Sequence, residues 1–368
     1  MKVIVSGGGT GGHIYPALAI AKGLQEAEAG TEVLYVGTAK GLEAGIVPQT
    51  GVPFRTVTVE GLPRKIGVRL FSSLLKVTKG FFQAMQIMDE FRPDIVIGTG
   101  GYVCGPVVLA AVLKKIPTLI HEQNAFPGIT NKLLARLVNG VATTFPESVK
   151  YFKNPGKVVV TGLPVRPEIL NARPEDGTDL GFAPDRFNVL VVGGSRGARS
   201  INLAMVEVLE HFHNHAGVRL LLVTGESGYH ELNDRLKLRG LDPAKLNNII
   251  IRPYLHNMPA ALAAANLIVC RAGATTIAEI TAKGIPSILI PYPYAAENHQ
   301  EYNARALVDK GAAVMIKDAE LTGRKIIENV ELLRQDIQLL HKMAEKSKAL
   351  GRPDALQNIV KLAQNLLK

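Results

Sequence analysis

The chain has 368 residues, enough for two domains of ordinary size. With 47% hydrophobic and 20% charged residues it has the balance of a globular protein, which excludes an extended disordered chain. The formal net charge of +10 favours anionic partners (phosphorylated substrates, nucleic acid or anionic lipid) without choosing among them.

In chain order, the first element is a strand that runs into a glycine cluster, Val3-Ile4-Val5-Ser6-Gly7-Gly8-Gly9-Thr10-Gly11-Gly12-His13. Residues 16–27 place apolar side chains with helical spacing, and a strand follows at 33–36. Residues 62–91 mix Arg64, Lys65, Arg69, Lys76 and Lys79 with Leu70, Phe71, Leu74, Leu75, Phe81 and Phe82; Gly67 and Gly80 point to two short helices. Such basic residues bordering an apolar face suit an anionic membrane surface, against the plainer reading of an amphipathic helix with its apolar side in the core. A strand at 94–97 ends at Gly98-Thr99-Gly100-Gly101-Tyr102, one at 117–120 ends at His121-Glu122-Gln123-Asn124, and another spans 140–143. Residues 160–188 carry Pro164, Pro167, Pro174 and Pro184 and read as an interdomain linker plus a surface loop. The rhythm restarts at Val189 and runs into Gly193-Gly194-Ser195-Arg196-Gly197, with further strands near 219–224, 248–251, 267–270 and 287–290. From about 319 the pattern is helical, interrupted at Gly351-Arg352-Pro353. Continuous β-branched runs between helices imply parallel strands buried on both faces, hence two doubly wound α/β sheets, with the last helix free to cross back onto the first domain.

The four strand–glycine–helix junctions follow residues 6, 97, 192 and 270. Each offers backbone N–H groups at the positive end of a helix dipole, an arrangement that suits phosphate. Gly7, Gly9 and Gly12 fit G-x-G-x-x-G, but the second strand ends Tyr35-Val36-Gly37-Thr38 without a carboxylate, and Glu43 comes only after a loop; this argues against NAD. No P-loop string and no D-x-D triplet occurs. A leaving diphosphate must then be met by helix dipoles, amides and Arg or Lys rather than a metal clamp. His121 and Glu122 lack a further ligand at metal spacing. Cys104 and Cys270 form no paired motif and read as small buried hydrophobes in a reducing cytosol. His13, beside a helix start, is a candidate base or a packing histidine. Glu279, on the helix that opens at Ala274-Thr275-Thr276, could reach a ribose diol or simply face solvent. No leader pattern precedes the first strand, and no apolar run reaches the ~18–20 residues of a membrane span. No aromatic-studded basic groove for nucleic acid stands out.

Taken together, residues 7–13 with Pro16, 98–106, 121–124 followed by Pro127-Gly128, 162–166, 193–198 and 270–279 resemble the MurG family of UDP-N-acetylglucosamine transferases, in order and spacing over essentially the whole chain. The resemblance implies a GT-B fold: two Rossmann-like domains facing a cleft, with an N-terminal acceptor and membrane-associated domain at 1–163 and a donor domain at 164–340. The C-terminal helix at 341–368 would pack back on the first. It implies that Arg166 and Ser195 meet the donor phosphates, Leu255 passes uracil with its backbone, Ala274, Thr275 and Thr276 hold the diphosphate, Glu279 holds the ribose and Gln300 the sugar hydroxyls. His299 stands where the family usually has a first glutamine. Thr10, Gly11, Gly12 and Asn124 would face the transferred sugar and the acceptor. The expected reaction is inverting and metal-independent and needs no cofactor. The donor is UDP-N-acetylglucosamine and the acceptor an undecaprenyl-diphosphate-linked muramyl-pentapeptide (lipid I to lipid II). His13 is the nominated base and Glu122 the reserve. The expected location is the inner leaflet of the cell membrane, with cell-wall synthesis enzymes as partners. The competing readings are a UDP-N-acetylglucosamine 2-epimerase and a non-catalytic nucleotide-sugar-binding docking protein.

Overall fold

A computed structural model describes residues 1–61, 68–194 and 197–367, with side chains from residue 73 onward in the helix Val68–Phe91. The chain divides into two compact units, Met1–Pro164 with Pro353–Lys368, and Val165–Arg352.

The sheet of the first unit contains β1 (Lys2–Ser6), β2 (Glu32–Gly37), β3 (Phe54–Thr56), β4 (Ile95–Gly98), β5 (Thr118–Glu122), β6 (Gly140–Thr143) and β7 (Val158–Val160). They lie in the order β3-β2-β1-β4-β5-β6-β7, and every pairing is parallel. Along β1, Val3 and Val5 enter one core with Ile14, Ala17 and Ile20 of the helix Gly11–Ala27, while Ile4 enters the opposite core with Val107 and Val108. Burial on both faces is why these strands read as unbroken apolar runs.

The second unit repeats the plan with β8 (Phe187–Val192), β9 (Val218–Val223), β10 (Ile249–Arg252), β11 (Leu267–Cys270), β12 (Ser287–Leu289) and β13 (Ala313–Met315), in the order β10-β9-β8-β11-β12-β13 and again parallel. In each sheet the strand order reverses between two central neighbours, β1 and β4 in the first, β8 and β11 in the second. The four glycine clusters follow these four strands. They therefore stand at the topological switch points, where open α/β sheets bind ligands at the carboxyl ends of the strands.

Three readings of the sequence change. Residues 68–91 form one helix, Val68–Phe91, rather than two. Gly80 serves close packing instead of a break, because a Cβ there would stand 2.6 Å from the Thr58 carbonyl oxygen. Residues 160–188 are not simply linker: the helix Pro167–Asn171 and the 3-10 turn Pro174–Leu180 pack on the helix Met258–Ala264 of the second unit. The return to the first unit starts later than 341, since Leu340 and Met343 on the helix Ile337–Leu350 are buried in the second unit's core. Only the helix Ala355–Asn365 joins the first unit, where Ile359, Val360 and Ala363 pack with β1.

Candidate functional site

In the first unit Thr10 stands extended before the helix Gly11–Ala27, and the amides of Gly11, Gly12 and His13 lie in its first turn. His13 is half-buried; its Nδ1 lies 2.9 Å from the Gly8 carbonyl oxygen and 3.3 Å from Thr10 Oγ1. A carbonyl only accepts, so in the neutral ring Nδ1 carries the proton and Nε2 keeps its lone pair. Gly100 lies against the Nε2 edge: its φ is +106°, and a Cβ there would sit 3.2 Å from Nε2. Thr99 Oγ1 donates to the His13 carbonyl at 2.8 Å, tying the loop after β4 to the helix. Burial holds the imidazole below its usual 6.5, with the Gly8 bond and the charge of Glu43 opposing.

The polar group at the end of β5 behaves differently. His121 is buried, donates from Nε2 to the Gly162 carbonyl at 2.9 Å and accepts at Nδ1 from Gln123 at 3.0 Å; burial brings it down to about 4. Glu122 is 2% exposed. It accepts from the Asn124 amide (2.9 Å) and side chain (3.3 Å), the Gly128 amide (3.1 Å) and Asn131 Nδ2 (2.8 Å). Burial pushes its carboxyl up while these bonds pull it down. Both oxygens accept from groups that shape the loop carrying Asn124, which gives Glu122 a structural role. Cys104 and Cys270 are buried thiols pushed up to about 12, as core residues are. Among the described residues no group of three or more His, Cys, Asp or Glu side chains is placed to hold a metal ion.

In the second unit the helix Ala274–Lys283 opens after β11 with Gly273 extended before it, so the amides of Ala274, Thr275 and Thr276 lie in the first turn, where amides have no partner inside the helix. Glu279, one turn further on, is almost buried and receives Arg166 at Oε1 from Nε (3.3 Å) and Nη2 (3.1 Å). Burial pushes the Glu279 carboxyl up, and Arg166 pulls it back. Leu255 is buried on the loop after β10, between exposed Tyr254 and His256. His299 opens the helix His299–Val308 and bonds its Nδ1 to the Ala296 carbonyl at 2.7 Å, which again leaves Nε2 as the acceptor of the neutral ring. Gln300 accepts at Oε1 from the Tyr292 amide at 2.9 Å. Ser195 lies outside the described residues, as do Arg64 and Lys65.

The structure thus groups Thr10, Gly11, Gly12 and His13 at one switch point, and Ala274, Thr275, Thr276, Glu279 and Arg166 at the other. Two side chains escaped the sequence reading. Arg271, just after β11, donates to Asp318 (2.6 Å), Ser200 (2.8 Å) and the carbonyls of Ile290 (3.1 Å) and Pro291 (3.2 Å), tying four segments together. Its signal was an arginine directly after a buried apolar strand. Glu43 was considered only as a ribose ligand; it is fully buried and reaches the first glycine cluster through the Gly9 amide at 3.2 Å.

Two doubly wound parallel sheets, each with glycine loops at its switch point, define the GT-B glycosyltransferase architecture. The model of the glycosyltransferase family 28 N-terminal domain matches residues 3–143, and that of the family's C-terminal domain matches 188–359. The chain belongs to glycosyltransferase family 28, and within it to the MurG enzymes. A relative from Desulforamulus reducens, named UDP-N-acetylglucosamine–N-acetylmuramyl-(pentapeptide) pyrophosphoryl-undecaprenol N-acetylglucosamine transferase, is 52% identical over 368 residues, covering 100% of this chain and 99% of its own. The crystal structure of Acinetobacter baumannii MurG is 31% identical and superposes with a TM-score of 0.80 over 99% of both chains. The UDP-GlcNAc 2-epimerase of Neisseria meningitidis, solved with UDP-GlcNAc bound, shares the fold alone, at 14% identity and a TM-score of 0.67 over 99% of this chain and 100% of its own.

Proposed function

We propose that this chain transfers N-acetylglucosamine from UDP-N-acetylglucosamine to the 4-hydroxyl of the muramyl sugar on an undecaprenyl-diphosphate-linked muramyl-pentapeptide, the step from lipid I to lipid II. The observation that carries the reading is full-length kinship at 52% identity with an enzyme named for this transfer. The 2-epimerase reading has only a shared fold behind it.

The donor is assigned to the second unit. The amides of Ala274, Thr275 and Thr276 receive the diphosphate with Ser195 and Arg166, Glu279 takes the ribose hydroxyls, the Leu255 backbone meets uracil, and Gln300 and His299 meet the sugar. The acceptor is assigned to the first unit, at Thr10, Gly11, Gly12 and Asn124. As the acceptor oxygen bonds to the anomeric carbon from the face opposite the diphosphate, the bond from that carbon to the diphosphate oxygen breaks, and its electron pair leaves on UDP. The hydroxyl proton passes to Nε2 of His13. Charge on the departing UDP is met by the helix dipole, the amides and the Arg166 guanidinium, with no divalent ion.

Among the described residues no helix is long and apolar enough to cross a membrane. The helix Val68–Phe91 turns Ala84, Ile87 and Met88 into the core and leaves Leu74, Leu75 and Phe82 exposed beside Lys76 and Lys79. Apolar side chains among cations favour docking on an anionic leaflet, where a lipid-linked acceptor resides.

The test supplies labelled UDP-N-acetylglucosamine and lipid I, with EDTA present. Label in the lipid fraction with inverted anomeric configuration is expected. Label in free N-acetylmannosamine, or no label in lipid, would refute the transfer, and dependence on added metal would refute the proposed charge handling.

A further inference from the structure

Glu43 stands in the first turn of the short helix Leu42–Ile46 and is fully buried. Its Oε1 accepts from the Thr38 amide at 3.1 Å and from Thr38 Oγ1 at 2.7 Å; its Oε2 accepts from the Gly9 amide at 3.2 Å. The side chain fits because residue 8 is glycine: a Cβ there would come within 2.7 Å of Oε1. The Gly9 N–H and the Gly8 C=O belong to one peptide unit. Its N–H points at the Glu43 carboxylate, and its C=O receives His13 Nδ1 at 2.9 Å.

We infer that Glu43 is a positioning residue for the reaction, acting on His13 through the Gly8–Gly9 peptide, and the inference deepens the assignment of His13 as base. A carboxylate at the N–H end polarises the peptide and strengthens its carbonyl as an acceptor. That fixes the proton on Nδ1, leaves the lone pair on Nε2, and stabilises the imidazolium that forms when Nε2 takes a proton. Histidine–carboxylate pairs do the same by direct contact; here a peptide unit stands between the two.

The surroundings leave Glu43 as the charge that acts on the ring. Tyr35, from β2, donates its hydroxyl to the Gly7 carbonyl at 2.7 Å, and burial with the charge of Glu43 pushes it further up. Cys104, on the helix Cys104–Leu113, is pushed up to about 12 by burial, so both groups stay neutral. Tyr102 and Gly100, from the loop after β4, and Thr10 complete the faces turned to this pair. Burial depresses the imidazole and Glu43 works against it, which keeps a half-buried histidine basic enough to act.

The test is histidine-selective nitrogen NMR on the whole enzyme, with the His13 signal identified by its loss in His13→Gln. In the wild-type protein His13 should be the Nδ1–H tautomer. In Glu43→Gln its pKa should fall by at least about half a unit, with a larger share of the Nε2–H form. The acidic limb of the kcat profile should move to lower pH by the same amount. The plateau should fall about two- to tenfold while KM for UDP-N-acetylglucosamine is unchanged. An Nε2–H tautomer in the wild-type protein overturns the inference without any variant. So does a folded Glu43→Gln protein whose His13 titration is unaltered. If His13→Gln turns over normally, the base assignment fails instead, and the NMR result still decides the coupling.

Discussion

The guanidinium of Arg166 lies on Oε1 of Glu279, with Nε and Nη2 both within 3.3 Å. The two are assigned to different parts of the donor, one to phosphate and one to ribose, and their contact sets the two binding groups side by side. Arg166 is largely exposed and free to swing, whereas Glu279 is held on its helix. Glu279→Gln is expected to raise KM for UDP-N-acetylglucosamine about 10–100-fold, the value of a charge-assisted bond, with kcat little changed. Initial rates at varied donor concentration check this.

The same pair predicts a pH effect. Burial raises the Glu279 carboxyl and Arg166 lowers it, so Arg166→Ala leaves it higher still. UDP binding in that variant should weaken at a higher pH than in the parent as the solution is acidified, because the protonated carboxyl accepts poorly from the ribose. Calorimetric titration of UDP across the acidic range reads the shift.

Replacing His13 by Gln should lower kcat about 10²–10⁴-fold and leave KM for the donor unchanged. In the parent enzyme the acidic limb of kcat should lie below 6.5, since burial depresses the imidazole. A limb above that value would mean that a group other than His13 controls the rate.

His121 makes folding acid-sensitive. Its pKa of about 4 lies below the 6.5 of the unfolded chain, so between these values the unfolded state binds more protons and stability rises with pH. The difference amounts to about 3 kcal/mol, present above pH 6.5 and lost as the pH falls to about 4. Urea titrations of the parent and of His121→Gln should diverge in slope against pH over this window.

Glu122→Ala should destabilise the first unit by about 3 kcal/mol, because the Gly128 amide and Asn131 Nδ2 would lose a buried acceptor. Glu122→Gln also loses stability, because its NH2 group meets donors; were Glu122 a base, turnover of the folded variant would fall further than its stability accounts for, and urea midpoints set beside kcat separate the two roles.

What the sequence displayed was the centre of each sheet. β1, β4, β8 and β11 are buried on both faces, so apolar runs ending in glycine announced them. The short strands Phe54–Thr56, Val158–Val160 and Ala313–Met315 were passed over; they lie at the sheet edges, where one side lacks a partner and three residues make no pattern. Ala274, Thr275, Thr276 and Glu279 stood out in the sequence because they share one helix start, whereas Arg166, Leu255 and Gln300, far apart in the chain, were named only through the family resemblance. Glu43 was not, because its role depends on a fold-back that brings residue 43 against residue 9, which spacing alone does not reveal. Glu122 is the opposite case: a carboxylate at a strand's end reads as chemistry, and only the fold shows the four donors through which it holds its loop.

The helix Ala355–Asn365 closes the core against β1, with Leu356 resting on Gly23. During synthesis, the segment that seals the amino-terminal lobe therefore leaves the ribosome after the whole of the intervening lobe. The intervening lobe, continuous from Val165 to Arg352, can mature first, while the earlier-made lobe waits with an apolar groove uncovered until the helix Ala355–Asn365 arrives.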